Sequence, residues 1–423
     1  MITRQDAHLP RTRPRLRKLS AFAWAASLAI LCLGCAARSR AAERAFLAGD
    51  DDTAIDEFQK RRAVARTDYA LECSLLGSAA LNAGDYRTSL DALVDAGRVM
   101  GSFPGNTPSQ VAALIGRESL KIFRGDPYEA VMNSIYTALL CLERGDEENA
   151  RAAVKRGILA DSDSKEEQYR SDVIALYSLA ALLEVRSDQV ELARKDIEHL
   201  QAIDPQHPYA DVDFLRSVNA VIWIDSGRGP TKIGTGSHGA IADFSLHAPA
   251  AATPELRLDG ERLPIGRLGV DLGFQATTRG GRTMDQILAG KAAAKDVMIA
   301  SGAVLLNEAA KGRRSGQRSG LLAVIGGGLL LLGTMIQPQA DLRHWHLLPA
   351  EGHLWMGRVE PGLHTLEIEF ENRRGIQLPE YRQIWHYLPF RNDRLEVYYF
   401  RGGYHKGFRR TPPVAAVERT SPS

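Results

Sequence analysis

The sequence predicts an α+β protein with two unlike halves. An N-terminal all-α array of helical hairpins precedes a C-terminal α+β domain of short strands with a helical insert. Three observations predict this. A turn residue, a small residue five later and a bulky apolar residue four beyond that recur four times between residues 42 and 210. Past Asp213 the apolar period shortens to two, the period of a strand. Between the strand-like runs, Thr283 with Gln286 forms a capping box ahead of apolar Ile287, Leu288, Val297, Met298, Val304 and Leu305, the predicted helical insert.

Composition sets the outer bounds. The 423 residues suffice for two or three domains, taking about 150 residues for each. Hydrophobic residues at 44% and charged residues at 25% match an ordinary folded chain, which excludes a wholly disordered or collagen-like protein. The net charge of +2 hides an asymmetry: residues 1–34 carry +5 and the remainder −3. No basic body exists to neutralise phosphates, so nucleic acid is not an expected partner.

The N-terminus reads as an address. A basic stretch over residues 1–18 leads into a 14-residue apolar run from Ser20 to Leu33, too short for a comfortable membrane span but suited to a signal-peptide core. The run ends Leu31-Cys32-Leu33-Gly34-Cys35, which resembles a bacterial lipobox, with Cys32 standing where Leu is usual. That resemblance implies a signal peptide over 1–34, lipidation of Cys35 and a linker over 35–41. Two acyl chains make an anchor stable where one does not. Ala36, where Asp would retain a lipoprotein at the inner membrane, implies an outer-membrane lipoprotein facing the periplasm. Cys73 and Cys141 then remain, too few for a disulfide framework, and both fall at interior helix positions.

The four repeat copies are Gly49/Ala54/Phe58, Gly84/Ser89/Leu93, Gly145/Ala150/Val154 and Asp188/Ala193/Ile197, and three of the turns continue Gly-Asp. With Leu76, Gly77, Ala80, Tyr86 and Ala96 around the second copy, the pattern resembles the tetratricopeptide repeat (TPR). Pro205 stands where that family's terminating proline belongs. Successive turns lie 35, 61 and 43 residues apart rather than at a steady interval, so insertions come after the second and third copies. In the TPR pattern the first helix of each hairpin lines a concave groove. Carried onto this chain, that register places Ser78 and Asn82, then Met132, Ile135, Leu139 and Glu143, then Leu182 and Arg186 in the groove. Such a groove suits an extended peptide or a partner helix, and the same apolar residues read equally as core.

The second half, residues 211–410, opens on the β run Val221–Ile224 and the turn Asp225–Pro230. Leu256–Leu263 reads as a hairpin around Asp259-Gly260. Leu366, Ile368 and Phe370 alternate with three glutamates after the turn Pro361-Gly362, and Leu395–Phe400 is a further strand. Residues 411–423 read as a disordered tail. Gly320–Ile336 is 17 uncharged residues, borderline for a span, and the basic flank Lys311–Arg318 lies on the wrong side for one. A packed helix is the expectation there, with a span or a docking surface as the other readings.

Motifs that could carry chemistry lack their companions. Gly234-Thr235-Gly236-Ser237-His238-Gly239 spells a dinucleotide fingerprint, but no helix pattern comes after it. Ser162 and Lys165 match a β-lactamase-type motif without its partners. The acidic cluster Asp161, Asp163, Glu166 and Glu167 reads as a solvated linker, as do Glu147 and Glu148. His344 and His346 could face one way from a strand as a metal pair, and His364 shares the face of Leu366. No catalytic residue, metal or cofactor is expected.

Several short stretches together resemble a sparsely characterised family of TPR-like bacterial envelope lipoproteins. They are Asp126-Pro127-Tyr128-Glu129 with Tyr136, Ala138, Leu139 and Gly145-Asp146; Gly229-Pro230-Thr231-Lys232; Ala340–Trp345 with Leu348-Pro349-Ala350; and Pro361-Gly362. The resemblance implies a non-enzymatic scaffold whose partners are other envelope proteins or lipoproteins and whose membrane contact is the lipidated Cys35. The alternative is a structural subunit of a membrane-embedded envelope assembly that inserts residues 320–336.

Overall fold

The computed structural model describes residues 41–101, 122–162, 172–236, 241–247, 253–263, 268–279, 340–372 and 374–402. Cys35, the insert around Thr283, the apolar run 320–336, the tail 411–423 and most of the acidic cluster after Asp161 lie outside them.

Four helical hairpins come first. They are α1 (Ala41–Ala48) with α2 (Asp51–Val64), α3 (Tyr69–Ala83) with α4 (Tyr86–Met100), α5 (Pro127–Glu143) with α6 (Glu147–Asp161), and α7 (Ile174–Arg186) with α8 (Val190–Ile203). One turn is built four times. Gly49, Gly84, Gly145 and Asp188 take left-handed φ of 75°, 83°, 78° and 60°. The next residue's N–H then reaches five residues back, from Asp50, Asp85, Asp146 and Gln189 to the carbonyls of Ala45, Ala80, Cys141 and Glu184. In the first three copies that aspartate also caps the following helix, its carboxylate accepting from the N–H of Thr53, Thr88 and Asn149. The small residues Ala54, Ser89, Ala150 and Ala193 are wholly buried, and Phe58, Leu93, Val154 and Ile197 fill the space they leave. At the second copy Ser89 Oγ donates to Gly77 O at 2.8 Å, so the two helices touch backbone to side chain.

The helices form two layers. The interiors of α3, α5 and α7 are mostly apolar or small and almost wholly buried, with Glu72, Glu129, Asn133 and Glu184 among the buried polar exceptions. Their partners α2, α4, α6 and α8 bury a single stripe and carry charge outward. The rest of the chain covers the inner layer on its second side.

After α9 (Val212–Ser217) come β1 (Ala220–Ser226), β2 (Thr231–Thr235), β3 (Ile241–Ser245), β4 (Thr253–Leu258), β5 (Glu261–Arg262), β6 (Leu268–Asp271) and α10 (Leu272–Arg279). A strap, residues 340–350, without helix or strand then leads into β7 (Glu351–Gly357), β8 (Gly362–Glu371), β9 (Gln383–Phe390) and β10 (Glu396–Gly402). One sheet has the order β10-β1-β7-β6, with β1 parallel to β10 and antiparallel to β7. A second has the order β5-β4-β8-β9, and β2 pairs with β3 as a separate ribbon. Ala220, Ile222 and Ile224 of β1 pack with Leu366, Ile368 and Phe370 of β8 between the two sheets. Val221 and Trp223, alternating with them, pack with the helices.

The architecture is therefore three layers, helices on sheet on sheet, and mixed α+β as expected. The turn Asp259-Gly260 has both residues at positive φ, as a two-residue hairpin requires. No break in packing falls at residue 210: helix α9 follows it, and the strands begin at Ala220. One apolar cluster runs from Ala42 through α3, α5 and α7 to Trp345, Val397 and Tyr399, and a second lies between the two sheets.

Candidate functional site

Three of the short stretches singled out in the sequence meet where the strap crosses the inner helices. Asp126 precedes α5, Pro127 occupies its first turn, and Glu129 reaches back so that Oε2 accepts the Asp126 N–H at 2.6 Å. The other oxygen, Oε1, accepts the Trp345 N–H of the strap at 2.5 Å. Lys232, at the start of β2, supplies the countercharge. Its Nζ lies 2.8 Å from Asp126 Oδ2 and donates to Arg343 O at 3.1 Å.

Arg343 is held on three sides. Its guanidinium forks onto Asp341, reaches Asp68 Oδ1 at 2.6 Å and lies over the Phe123 ring at 5.7 Å. Trp345 is buried, its Nε1 donating to Ser78 Oγ at 2.8 Å and its ring lying edge-on to Tyr136. Gly229 donates its N–H to Leu348 O at 2.9 Å. A Cβ at Gly229 would stand 2.8 Å from the carbonyl oxygens of Leu348 and Pro349, so only glycine admits the strap this closely.

The electrostatics are set by burial. Burial pushes the Glu129 carboxyl up to about 7, with Lys232 pulling the other way and Asp126 adding to the rise. Burial also works against the Lys232 ammonium, but Asp126 and Glu129 outweigh it and its pKa stands above the usual lysine value. His344, whose Nδ1 faces Leu342 O, is held down to about 4 by burial.

Beside this junction lies a second buried network. Asp225 Oδ2 accepts from the hydroxyls of Tyr136 and Tyr399 at 2.5 and 2.7 Å, and Oδ1 accepts from Trp223 Nε1 at 2.7 Å. Arg401, wholly buried, approaches Asp225 at 3.9 Å, donates to Leu347 O at 2.6 Å and covers Phe46. Burial raises the Asp225 pKa, and Arg401 and the three donors oppose that rise.

The predicted groove residues do not form an open groove: the strap covers Ser78, and β10 lies against Leu139 and Glu143. Ser78, Asn82, Met132, Ile135, Leu139 and Leu182 are all buried. Asn82 Nδ2 donates to Asp51 at 3.1 Å, and Ser78 holds Trp345. Leu139 and Glu143, with Tyr86, Val397 and Tyr399, border the seam between α3, α5 and β10. Outside it Tyr86, Arg87, Asp91, Glu143 and Arg144 line a shallow cleft of about 440 Å³. Arg186 stands apart at the tip of its hairpin, paired with Glu147 at 2.6 Å.

Other sequence candidates fall elsewhere. His344 and His346 lie in the strap and not on a strand, their rings 5.9 Å apart, with His346 facing Glu43 at 3.5 Å. Among the described residues no group of three or more His, Cys, Asp or Glu is placed to hold a metal. His364 does not simply pack beside Leu366. It contacts Asp259 at 2.6 Å with its ring edge-on to Phe390. Gly234 and Gly236 sit at the end of β2, and the chain continues from residue 241 as strand β3 rather than a helix. Cys73 and Cys141 are buried free thiols, pushed up to about 11 by burial. Asp161 is buried and accepts from the Val173 N–H at 3.1 Å. Among the described residues no helix is long and apolar enough to cross a membrane.

The residues that the sequence did not single out are Asp225, Arg401 and Trp223 as one network. Only the charge of Asp225 at the end of an apolar β run hinted at it. No protein-family model, curated protein or solved structure matches the chain.

Proposed function

We propose that the chain is a non-enzymatic scaffold lipoprotein, anchored through lipidated Cys35 in the outer membrane, facing the periplasm and binding other envelope proteins through TPR-like hairpins. The observation that carries the binding role is the hairpin itself. The same left-handed turn, small-residue contact and bulky filler occur four times, and stacked repeats of that kind present extended surfaces rather than a reaction centre. Gly34-Cys35 after the apolar run supports the anchor. The buried charges of the junction have structural work to do: Glu129 holds the strap, and Asp225 ties helix to sheet.

The test has two parts. Cys35→Ala should leave the protein unlipidated by mass spectrometry and release it from membranes; an unmodified mature N-terminus beyond Cys35 in the native protein overturns the anchor. Affinity purification from membranes should then recover specific envelope proteins with the lipidated chain. The alternative, a membrane-embedded subunit using residues 320–336, rests on their 17 uncharged residues. It requires detergent for solubility even after Cys35→Ala.

A further inference from the structure

The strap has features of a bound peptide. Residues 340–346 form no helix or strand. They are held by side chains of the helices: Asp68 at the start of α3 takes Arg343, Ser78 within α3 takes the Trp345 indole, and Glu129 of α5 takes the Trp345 backbone N–H. A backbone donor, an aromatic anchor and a charged end are what a groove uses to read an extended segment. On the other side of the strap Lys232 contributes a side-chain contact, to the Arg343 carbonyl. From Leu348 onward the chain instead bonds to β1 and the turn after it, through Gly229 N to Leu348 O and Ala350 N to Ser226 O. Leu347, whose carbonyl accepts from Arg401 of β10, marks where the strap passes from the helices to the sheet.

We infer that the inner face of α3 and α5 is a peptide-recognition groove occupied in cis, and that the partner segment it takes is extended and carries Arg two residues before Trp. This rests on the scaffold reading and adds the chemistry of the partner. The acidic side chains Asp68 and Glu129 select the basic residue and a free backbone N–H, and Ser78 selects an indole over a phenyl ring. Arg343 and Trp345 fill these positions in the closed state, so a partner segment competes with them. A tethered competitor is present at high effective concentration, which makes the closed state the resting one.

The test uses a fluorescent peptide of residues 340–350 and purified full-length mature protein. The Arg343→Ala/Trp345→Ala variant should bind the peptide at least about tenfold more tightly than the native protein, whose groove is filled. A peptide with the same two residues replaced by Ala should bind at least about tenfold more weakly than the native sequence, and Asp68→Asn with Ser78→Ala in the opened variant should do the same. Equal binding of both peptides, or no binding to a folded variant, overturns the proposal. Hydrogen exchange on the native chain decides the case if the variant does not fold. The Trp345 amide should exchange through a local opening, with protection at least about a hundredfold below that of Val221 and Leu354 in the sheet. Equal protection makes the strap inseparable core and overturns the proposal. Neither failure touches the scaffold reading, which is tested separately by recovery of envelope proteins with the lipidated chain.

Discussion

Ile222 and Ile224 point from β1 into the space between the two sheets, whereas Trp223 and Asp225, alternating with them, point toward the helices. The first space is closed by Leu366, Ile368, Phe370, Phe390 and Phe400, with no charge among them. The second holds Asp225 and Arg401, with Glu129 and Lys232 nearby. An apolar interface is held by volume and tolerates many sequences of similar size. A buried polar interface is held by geometry, because each unpaired donor or acceptor is costly. Helices and sheet are thus fixed in one register by buried charged and hydrogen-bonded groups, while the sheets meet mainly through apolar packing, with Gln383 Nε2 donating to Arg401 O and the Tyr398 hydroxyl to Pro389 O between them.

The largest expected effect breaks the polar side. Asp225→Ala removes the countercharge of Arg401 and the shared acceptor of two tyrosine hydroxyls and should cost about 3–5 kcal/mol in urea unfolding. Phe370→Ala on the apolar side should cost a similar amount, about 3–5 kcal/mol, by leaving a cavity. Additivity separates the two. Asp225→Ala combined with Arg401→Met should cost clearly less than the sum of the single changes, because the second removes the stranded charge. Strict additivity would contradict the idea that the two side chains act as a unit.

Two glycines sharpen the same contrast at lower cost. Gly229→Ala drives a methyl group into the Leu348 and Pro349 carbonyls, which are backbone and cannot yield by a rotamer change. The expected loss is about 1–3 kcal/mol. Gly260→Ala, in the β4–β5 turn with φ of 85° and open space around it, should cost only about 1 kcal/mol through backbone strain. A Gly229→Ala protein that melts with the native one would show that the strap does not need its close approach to the sheet.

The range of each interaction decided whether the sequence made it legible. The hairpins were readable because their determinants lie within ten residues: Gly84 for the turn, Asp85 for the cap, Ser89 and Leu93 for the contact. Alternation alone placed Leu366, Ile368 and Phe370 inward. The pairing of Ala220 with Glu396 and the docking of Trp345 on Ser78 join distant segments, and no local pattern encodes them. Met132, Ile135 and Leu139 illustrate the limit. An apolar stripe at helical spacing states that a face is covered, but not whether a partner or the chain itself covers it. Here all three lie in the chain's own core, in one cluster with Trp345, Val397 and Tyr399.

The smallest effect probes the junction through pH. Glu129 is buried with its carboxyl raised to about 7 from an ordinary 4.5. A carboxyl raised on folding binds its proton more tightly in the native state. Its contribution is therefore fully present below the unfolded value and is lost as pH rises through about 7. Two other groups change protonation in neighbouring pH ranges. Asp196, raised to about 6 by burial, has the same sign at lower pH, and His344, lowered to about 4, opposes it by losing stability as pH falls below the ordinary histidine range. Comparing the native protein with Glu129→Gln cancels both. Glutamine keeps a carbonyl oxygen to accept one N–H and does not ionise. From pH 6.5 to 8 the native protein should lose on the order of 1 kcal/mol relative to the variant, read as a growing difference in the urea midpoint. Parallel curves over that range would mean that Glu129 does not titrate there and that its burial against the strap is looser than its contacts with Trp345 and Asp126 require.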